Sequence, residues 1–322
     1  MKILIVKTSS MGDIIHALPV AWDIAHAFPE ARIDWAAEAS FRDIPRMSPF
    51  VDEIKVSRFR GWRKSILSKA TRDEVAALKA DLASEHYDAV VDLQGLVRSA
   101  WLASWTRVPV TGYSRRAAKE PLAAWFYEKT LEYPASIPTV RRYRAAAAEA
   151  LGYEVDLERV HYGLSISEPS SVEMTEPYAA LCINTSRDSK LWPEEDWVEI
   201  GRRLNETGRR SVLFWGSETE RKRSESVASR IEGAVVAPRT GLLATGRLIA
   251  GADAVLGVDT GLTHLGAALG RPSVGIFVST PTDRLSLVGE GPVRSLGEKP
   301  SVEAVWRSFE TVLAEYEQGA QP

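Results

Sequence analysis

Short apolar runs alternate with amphipathic helical patterns in two successive series, and this alternation constrains the fold more than any other feature of the sequence. Apolar runs separated by helical patterns are typical of parallel sheets with helices on both faces. A chain of 322 residues is long enough for two domains, at about 150 residues each. The sequence therefore predicts an α/β protein with two Rossmann-like domains, one for each series.

Both series give predicted element boundaries. In the first series we predict strands at 2–7, 32–37, 53–56, 89–93 and 108–112, and helices at 13–27, 71–85, 96–106 and 140–151. In the second we predict strands at 179–183, 211–214, 234–237, 254–258 and 274–278, and helices at 193–206, 218–231, 243–252 and 262–269.

The stretch 165–171 separates the two series, and its small polar residues with one proline are typical of a linker. We therefore expect one domain at 1–165 and a second at 166–300. The segment 301–322 places its apolar residues on one helical face, so we expect a C-terminal amphipathic helix that packs back across the domains. Ligands of open α/β sheets bind beyond the carboxyl ends of strands, which predicts a cleft between the two domains.

Composition excludes several classes of function. The net charge of -3 argues against a general nucleic-acid binder. No apolar run approaches the length of about 18 residues that a spanning helix needs. The run Ile3–Val6 is too short for a signal-peptide core, and the single cysteine, Cys182, lies in an apolar run as a core residue would. We expect a cytoplasmic protein.

The first candidate site is the loop 7–16, where a predicted strand runs into a helix through small polar residues. Gly12 relieves backbone strain in a tight turn, and Asp13 stands at the mouth of the helix. One interpretation of Asp13 is a helix cap; the other is a catalytic carboxylate at a strand end. His16 lies three residues later on the same face and is either an orienting partner or a packed residue.

Two further strand ends carry polar residues in the second series. The turn 184–193 holds Thr185, Ser186 and Lys190 before a predicted helix, a combination that suits a phosphate or diphosphate. In the turn 257–270, Asp259 suits sugar hydroxyls and the following amides suit phosphate. Surface turns that only cap helices are the alternative for both.

A local basic run marks the first series. Seven cations lie from Lys55 to Arg72 without an intervening acid, and apolar residues are interleaved. Such a run is usually a solvated loop, but it also suits an anionic acceptor at a membrane surface. The segment 92–95, with Arg98 after it, is another strand end expected to face the same cleft.

Other chemistries find little support. The five histidines show no short ligand spacing and there is no cysteine cluster, so we predict no metal site. The glycines do not fit G-x-G-x-x-G, and no G-x-S-x-G elbow is present. Neither a hydride-transfer cofactor nor a serine hydrolase is indicated.

The chain resembles glycosyltransferase family 9, the lipopolysaccharide heptosyltransferases. Motifs in one order over nearly the whole sequence carry the resemblance: 6–13, 60–64, 92–96, 120–123, 190–195 and 258–264. It implies a GT-B fold in which 1–165 is the acceptor-binding domain and 166–300 the nucleotide-sugar-binding domain. It also implies inverting transfer, without a cofactor or tightly bound metal. The implied donor is ADP-L-glycero-β-D-manno-heptose, and the implied acceptor is the Kdo region of Kdo2-lipid A, met at the cytoplasmic face of the inner membrane.

The resemblance also implies roles for individual residues. Asp13 matches the base that takes the acceptor proton, and Lys190 is the second catalytic residue, at the donor diphosphate. Residues of the implied donor site are Thr185, Ser186, Lys190, Glu220, Thr240, Asp259, Thr260, Gly261 and His264. Residues of the implied acceptor site are Ser10, Arg60, Arg63, Lys64, Gln94, Arg98 and Lys119.

Some positions depart from the family pattern. Ser186 stands where threonine is common, and Thr240 where methionine is expected. At Arg98 and Lys119 one cation type replaces the other, which changes hydrogen-bond geometry but not charge. Three alternatives stay open at this point: a heptosyltransferase with another acceptor, a sugar-nucleotide 2-epimerase of the same fold, and a nucleotide-sugar binding protein without catalysis.

Overall fold

The computed structural model describes residues 1–170 and 172–319, apart from the side chains of Asp283 and Arg284. Ser171 of the predicted linker and the last three residues of the predicted 301–322 segment lie outside the described residues. The chain divides into two compact units, Met1–Gly163 and Leu164–Pro322.

The first unit is built on a parallel sheet of six strands. Its strands are β1 (Lys2–Val6), β2 (Arg32–Glu38), β3 (Glu53–Ser57), β4 (Ala89–Asp92), β5 (Val110–Tyr113) and β6 (Lys129–Leu131). Its α-helices are α1 (Met11–Ile15), α2 (Pro19–Ala27), α3 (Phe59–Trp62), α4 (Lys69–Ser84), α5 (Val97–Ala103) and α6 (Thr139–Leu151). Short 3-10 helices span Ala39–Phe41, Pro45–Met47, Ser104–Thr106 and Pro121–Phe126.

The second unit repeats this plan. Its strands are β7 (Tyr178–Cys182), β8 (Arg210–Leu213), β9 (Val235–Val236), β10 (Ala254–Val258), β11 (Ser273–Phe277) and β12 (Val293–Gly297). Its α-helices are α7 (Glu194–Glu206), α8 (Glu218–Ala228), α9 (Leu242–Ala250), α10 (Gly261–Ala268), α11 (Thr282–Leu285) and α12 (Val302–Gly319), with a 3-10 helix at Asp188–Lys190.

The two sheets have the same strand order, which confirms the predicted α/β class. The first runs β3-β2-β1-β4-β5-β6 and the second β12-β11-β10-β7-β8-β9, with parallel pairing throughout. In each sheet the order reverses between the first and fourth strands of the unit. This switch point is where ligands of doubly wound sheets bind. It lies between β1 and β4 in the first unit and between β7 and β10 in the second.

One predicted helix is wrong. The single helix expected at 13–27 is two helices, α1 and α2, separated by the turn 16–18. Pro19 begins α2, and because proline has no backbone N–H it suits a first helical turn better than an interior. Two edge strands, β6 and β12, were not predicted from the sequence.

The C-terminal helix α12 buries Val305, Phe309 and Val312 in the core of the second unit. It packs on β10, β11, β12 and α7. These contacts place its apolar face on the second unit's sheet. Packing across both domains stays a prediction.

A charged network secures one end of the first sheet. The Lys55 ammonium is buried and contacts the carboxylates of Glu53, Asp81 and Glu85, and Lys2 contacts Glu85 and Asp34. Asp34, Glu53 and Glu85 are close enough together to hold a metal ion, but these two ammonium groups already contact all three. Hydrogen bonds from Lys2 and Lys55 lower the pKa of Glu85 to about 2.

We expect Lys55→Met to lower the free energy of unfolding at pH 7 by about 2 kcal/mol, since it leaves three carboxylates without their shared cation. The figure is modest because Glu53 and Asp81 are nearly half exposed. Glu85 has a lowered pKa in the folded state, so its contribution is present above about pH 4.5 and lost toward pH 2. Urea unfolding at pH 7 and pH 3 measures this, and the loss should shrink at the lower pH.

Lys69→Met, which removes an exposed pair with Asp73, is the control. An equal effect of both substitutions at pH 7 contradicts the account.

Candidate active site

Asp13 lies in the third position of α1, in the loop that follows β1. The Ser10 backbone N–H and hydroxyl both donate to its Oδ2, at 3.1 and 2.9 Å. The helix-cap interpretation of Asp13 therefore applies to Oδ2, which accepts both hydrogen bonds from Ser10. The other, Oδ1, accepts only a long hydrogen bond of 3.4 Å from Tyr143 among the described residues. One oxygen thus holds the loop while the other is left for a ligand.

The Asp13 carboxylate is held ionised. Burial alone would raise its pKa, but the Lys7 ammonium and the two hydrogen bonds from Ser10 outweigh burial and lower the pKa below its usual value. His16, which is buried, adds a smaller lowering effect. Asp13 is therefore a carboxylate acceptor of protons at neutral pH.

Lys7 is a site residue that the sequence did not identify. It is buried beside the loop, and its ammonium donates to the Leu93 carbonyl at 3.1 Å and to the Tyr143 hydroxyl at 2.6 Å. Burial lowers the pKa of Lys7 to about 8 even though Asp13 and Asp92 oppose the shift. The pKa of Tyr143 is raised by its own burial, so its hydroxyl keeps its proton. The Lys7 ammonium and the Tyr143 hydroxyl thus form a chain of donors that ends at Asp13 Oδ1.

Replacing Lys7 with methionine is expected to move the acidic limb of the pH profile of kcat/KM upward. Without the ammonium, only Ser10 and His16 counteract the effect of burial, which raises the pKa of Asp13. The pKa of Asp13 therefore rises. The profile for the acceptor substrate measures this directly. Tyr143→Phe is the matched control, because it removes the hydroxyl and leaves the Lys7 charge in place. An acidic limb that stays fixed in Lys7→Met shows that Lys7 does not set the protonation of Asp13.

Asp92 organises the loop that faces Asp13 across the switch point. It is fully buried, and its Oδ1 accepts from the backbone N–H groups of Gln94 and Gly95, while its Oδ2 accepts from Ser99 and Tyr127. Burial raises its pKa against these hydrogen bonds. The predicted strand end at 92–95 is therefore present, and Asp92 itself is a structural residue.

Gln94 joins the two loops at the switch point. Its Oε1 accepts from the backbone N–H groups of Thr8 and Ser9, at 3.0 and 3.1 Å. Arg98 reaches the same loop, since its guanidinium donates to the Ser9 hydroxyl at 2.9 Å. Gln94 and Arg98 thus contact the loop that also contains Ser10 and Asp13.

The remaining predicted acceptor residues are exposed cations. Arg60 lies in α3, Arg63 and Lys64 follow it, and Lys119 lies in the loop after β5. The carboxylate of Glu38, at the carboxyl end of β2, accepts from the backbone N–H groups of Phe59 and Arg60 and so fixes the start of α3.

In the second unit, Asp259 lies at the carboxyl end of β10 with a cluster of donors around it. Its Oδ2 accepts from the Lys190 ammonium at 2.5 Å and from the Thr280 hydroxyl at 2.6 Å. Its Oδ1 lies 3.3 Å from His264 Nε2. Hydrogen bonds from these three residues outweigh burial and hold the pKa of Asp259 well below its usual range. Asp259 and Lys190, which the sequence analysis assigned to separate parts of the donor site, are in direct contact.

The strand end after β7 meets this cluster at the switch point. Thr185 is buried and its hydroxyl donates to the Asp259 carbonyl at 3.2 Å. Asn184 is tied to β8 and α8 through the Phe214 carbonyl and Ser224. Ser186 is exposed beyond them. The turn therefore presents one fixed and one exposed hydroxyl beside Lys190.

Helix α10 begins directly at the Asp259 cluster. Thr260 is its N-cap residue in an extended conformation, and Gly261 is its first residue. A Cβ on nearby Gly257 would lie 2.1 Å from Thr263 Oγ1 and 2.6 Å from Cys182 Cβ, so the helix packs directly on the strand backbone. This close packing brings the α10 amides to the carboxyl edge of the sheet.

Two predicted donor residues do not join this cluster through described contacts. Glu220 caps α8, because its Oε2 accepts from the backbone N–H groups of Gly216 and Ser217 at 2.7 and 3.0 Å. Thr240 is exposed and its hydroxyl lies 3.3 Å from that of Thr245. Glu220 is partly exposed and Thr240 is exposed.

A cavity of about 390 Å³ lies beside the Lys190 turn. Its lining includes Leu191, Trp192 and the cations Arg223 and Lys299. The Arg223 guanidinium donates to Asn184 Oδ1 at 3.1 Å, which connects the cavity to the strand end. Thr280, Arg223 and Lys299 were missed from the sequence because they are distant in the chain from Lys190 and carry no local motif.

Comparison with known proteins decides the family. The profile of glycosyltransferase family 9 (heptosyltransferase) matches residues 75–304. The chain belongs to glycosyltransferase family 9. This family 9 chain is 38% identical over 281 residues to lipopolysaccharide heptosyltransferase 1 of Pseudomonas aeruginosa, covering 87% of the chain and 79% of that protein. It is 35% identical over 315 residues to the Escherichia coli protein of the same name, covering 97% and 98%.

Solved structures agree with this assignment. The family 9 chain superposes on E. coli heptosyltransferase WaaC with ADP at a TM-score of 0.88 and 34% identity, covering 97% of the chain and 99% of WaaC. The fold and the enzyme class predicted from the sequence are therefore confirmed: this is a glycosyltransferase with two α/β units. The epimerase and the non-catalytic binding protein do not fit this family.

Proposed function

We propose that this family 9 enzyme transfers L-glycero-D-manno-heptose from ADP-L-glycero-β-D-manno-heptose to the Kdo of Kdo2-lipid A, in synthesis of the lipopolysaccharide core. The observation that carries the mechanism is the Asp13 carboxylate, ionised and with Oδ1 open to a ligand at a sheet switch point. The donor is supported by E. coli WaaC, which has been solved with ADP and with ADP-2-deoxy-2-fluoro heptose.

Asp13 acts as the general base on the acceptor. Its Oδ1 takes the proton from the attacking Kdo hydroxyl, and that oxygen forms a bond to the anomeric carbon of the heptose. The bond from this carbon to the ADP oxygen breaks, and its electron pair leaves on the β-phosphate. Attack from the face opposite ADP inverts the anomeric centre.

Lys190 and its neighbours act on the leaving group. The Lys190 ammonium, oriented by Asp259 at 2.5 Å, stabilises negative charge that grows on the diphosphate. The hydroxyls of Thr185 and Ser186 and the amides at the start of α10 add further donors. No step in this scheme needs a metal ion bound by the described residues.

The other donor residues hold the sugar and the nucleoside. Asp259 accepts from heptose hydroxyls, and Thr260, Gly261 and His264 complete that side of the donor. Glu220 meets the adenosine ribose with the oxygen that does not cap α8, and Thr240 lies at the nucleotide. Contacts to these residues distinguish the donor from its isomers.

Cations on the first unit hold the acceptor. Kdo carries a carboxylate and lipid A carries phosphates, and both suit guanidinium and ammonium groups. We assign Arg60, Arg63, Lys64, Arg98 and Lys119 to these anions. Ser10 lies beside Asp13, and the side-chain amide of Gln94 contacts the Thr8 and Ser9 backbone of the same loop. We assign both to the Kdo near its reacting hydroxyl.

The acceptor places the reaction at the cytoplasmic face of the inner membrane, so we propose peripheral attachment there. None of the helices in the part of the chain that the structure describes is long and apolar enough to cross a bilayer. The basic run around α3 supplies charge for attraction to an anionic surface.

Incubation of the purified enzyme with ADP-heptose and Kdo2-lipid A tests the proposal. Mass spectrometry should show one heptosyl unit added to the acceptor, with the same yield in the presence of a chelator. Lipid A without Kdo is the control acceptor and should stay unmodified. Modification of that control, or an isomerised sugar formed without acceptor, contradicts the proposal; loss of yield with chelator contradicts its metal-independence.

A further inference from the structure

One surface of the first unit exposes apolar side chains that the proposed chemistry does not use. This surface, which we call the outer layer, comprises α3 with the turn that follows it, α5, and the 3-10 helix Pro121–Phe126. Among the described residues, six large apolar side chains are strongly exposed, and five of them belong to this layer. They are Ile66, Leu67, Trp101, Leu122 and Trp125, with exposed fractions from 44% to 84%. We call these five residues the apolar patch.

Trp101, Leu122 and Trp125 come from two elements that pack against each other. Trp101 lies on α5, and the other two lie three residues apart on the 3-10 helix Pro121–Phe126. Three residues complete one turn of a 3-10 helix, so Leu122 and Trp125 share a face. Ala123, between them, is buried in the core beneath.

Aromatic contacts connect α5 to α3, which lies in the basic run 55–72. The Trp101 ring lies 6.3 Å from that of Phe59 in α3, which in turn lies 5.2 Å from Trp62. Ile66 and Leu67 follow in the turn between α3 and α4, the most exposed part of this segment. Apolar and basic side chains are therefore interleaved on one layer of the unit.

The cations of this layer are largely unneutralised. Lys69 and Arg58 have acidic neighbours, Asp73 and Glu74. Other cations here have no acidic partner within 4 Å in the described part of the chain: Arg60, Arg63, Lys64 and Arg72. A second copy of this surface would bring like charges together, whereas a surface of lipid phosphates would neutralise them.

Two residues of the apolar patch lie three positions along the chain from residues that we assign to the acceptor. Arg98 and Trp101 are three residues apart on α5 and share a side of the helix. Lys119 comes three residues before Leu122, and the Glu120 backbone N–H donates to the Gly95 carbonyl at 3.0 Å. The apolar patch thus begins next to the loops that hold Asp13.

We propose that this layer docks on an anionic phospholipid bilayer, with the apolar patch inserted among the headgroups and the free cations on lipid phosphates. Tryptophan suits this depth because its ring is apolar and its N–H is polar. Docking in this orientation presents the Asp13 side of the unit to a lipid-linked acceptor. This last point rests on the proposed function; the docking itself does not.

Vesicle flotation tests the docking surface. The full chain should bind vesicles of phosphatidylcholine with about one third phosphatidylglycerol, and bind pure phosphatidylcholine more weakly. The variant Trp101→Gln/Leu122→Gln/Trp125→Gln should lose about tenfold or more in partitioning. Trp101→Phe/Trp125→Phe, which keeps the apolar character, should retain most of the binding.

Two variants, each lacking one cation, complete the vesicle test. Arg72→Gln should weaken binding about fivefold, whereas Arg202→Gln, an exposed cation of α7 in the second unit, should leave it unchanged. Wild-type partitioning by the triple glutamine variant overturns the proposal. So does a wild-type dimer that this variant converts to a monomer, because the patch would then join two copies of the chain.

Transfer assays separate this inference from the proposed function. With ADP-heptose and a Kdo disaccharide that lacks acyl chains, the triple glutamine variant should keep the wild-type rate. With Kdo2-lipid A in vesicles, its rate should fall together with its binding. Vesicle binding that depends on the patch, in a chain that transfers no heptose, would support the docking surface and refute the proposed acceptor chemistry.

Discussion

Replacing Asp13 with asparagine is expected to lower kcat for heptose transfer by about 10³-fold, the usual contribution of a general base. An amide cannot take the acceptor proton. Its oxygen can still accept from the Ser10 N–H and hydroxyl, the two hydrogen bonds that Asp13 Oδ2 makes. The start of α1 should therefore stay capped, and the affinity for ADP, measured by calorimetry, should remain close to that of the wild type.

Asp13→Ala separates the cap from the chemistry. It should show the same loss of kcat and, in addition, a loss of about 1 kcal/mol in the free energy of unfolding. If Asp13 acts only as a cap, the order of effects reverses: alanine destabilises the protein and asparagine turns over almost normally. A near-normal rate in Asp13→Asn therefore removes Asp13 as the base.

Lys190→Ala is expected to lower kcat by about 10²-fold, because the ammonium stabilises charge that develops on the departing diphosphate. The affinity for ADP should fall by about tenfold, as expected for one lost charge-assisted hydrogen bond. The substitution also leaves Asp259 with Thr280 and His264 as its remaining partners. Steady-state kinetics with ADP-heptose and calorimetry with ADP measure the two effects separately.

Arg202→Ala is the control for Lys190→Ala. Arg202 is an exposed cation near the end of α7, so its loss changes the net charge of the unit by the same amount without touching the Asp259 cluster. We expect unchanged kinetics. Equal losses in both variants would mean that the general charge of the unit, and not a contact at Lys190, governs donor binding.

The element order and most residues around Asp259 were predictable because their signals are local. Strand ends at Asp13, Thr185 and Asp259 followed from short apolar runs that stop at polar turns. The contact between Asp259 and His264 spans five residues of the chain, within reach of motif analysis. The strand order, and with it the two switch points, came from the structure.

What could not be predicted depends on contacts distant in sequence. Lys7 meets Tyr143 across 136 residues, and Thr280 meets Asp259 across 21. The helix break at Pro19 depends on the competition between a strong apolar pattern and one missing N–H. The edge strands β6 and β12 are short or only half buried, so they lack the apolar run that marks a central strand.

The anomeric configuration of the product tests the central claim most directly. Starting from the β-linked donor, displacement with Asp13 as base inverts the reacting carbon, so nuclear magnetic resonance should show an α-linked heptosyl unit on Kdo. A β-linked product would mean retention, through either two successive displacements or attack from the same face as the departing ADP. That result would contradict the single displacement in which Asp13 acts as base on the face opposite ADP.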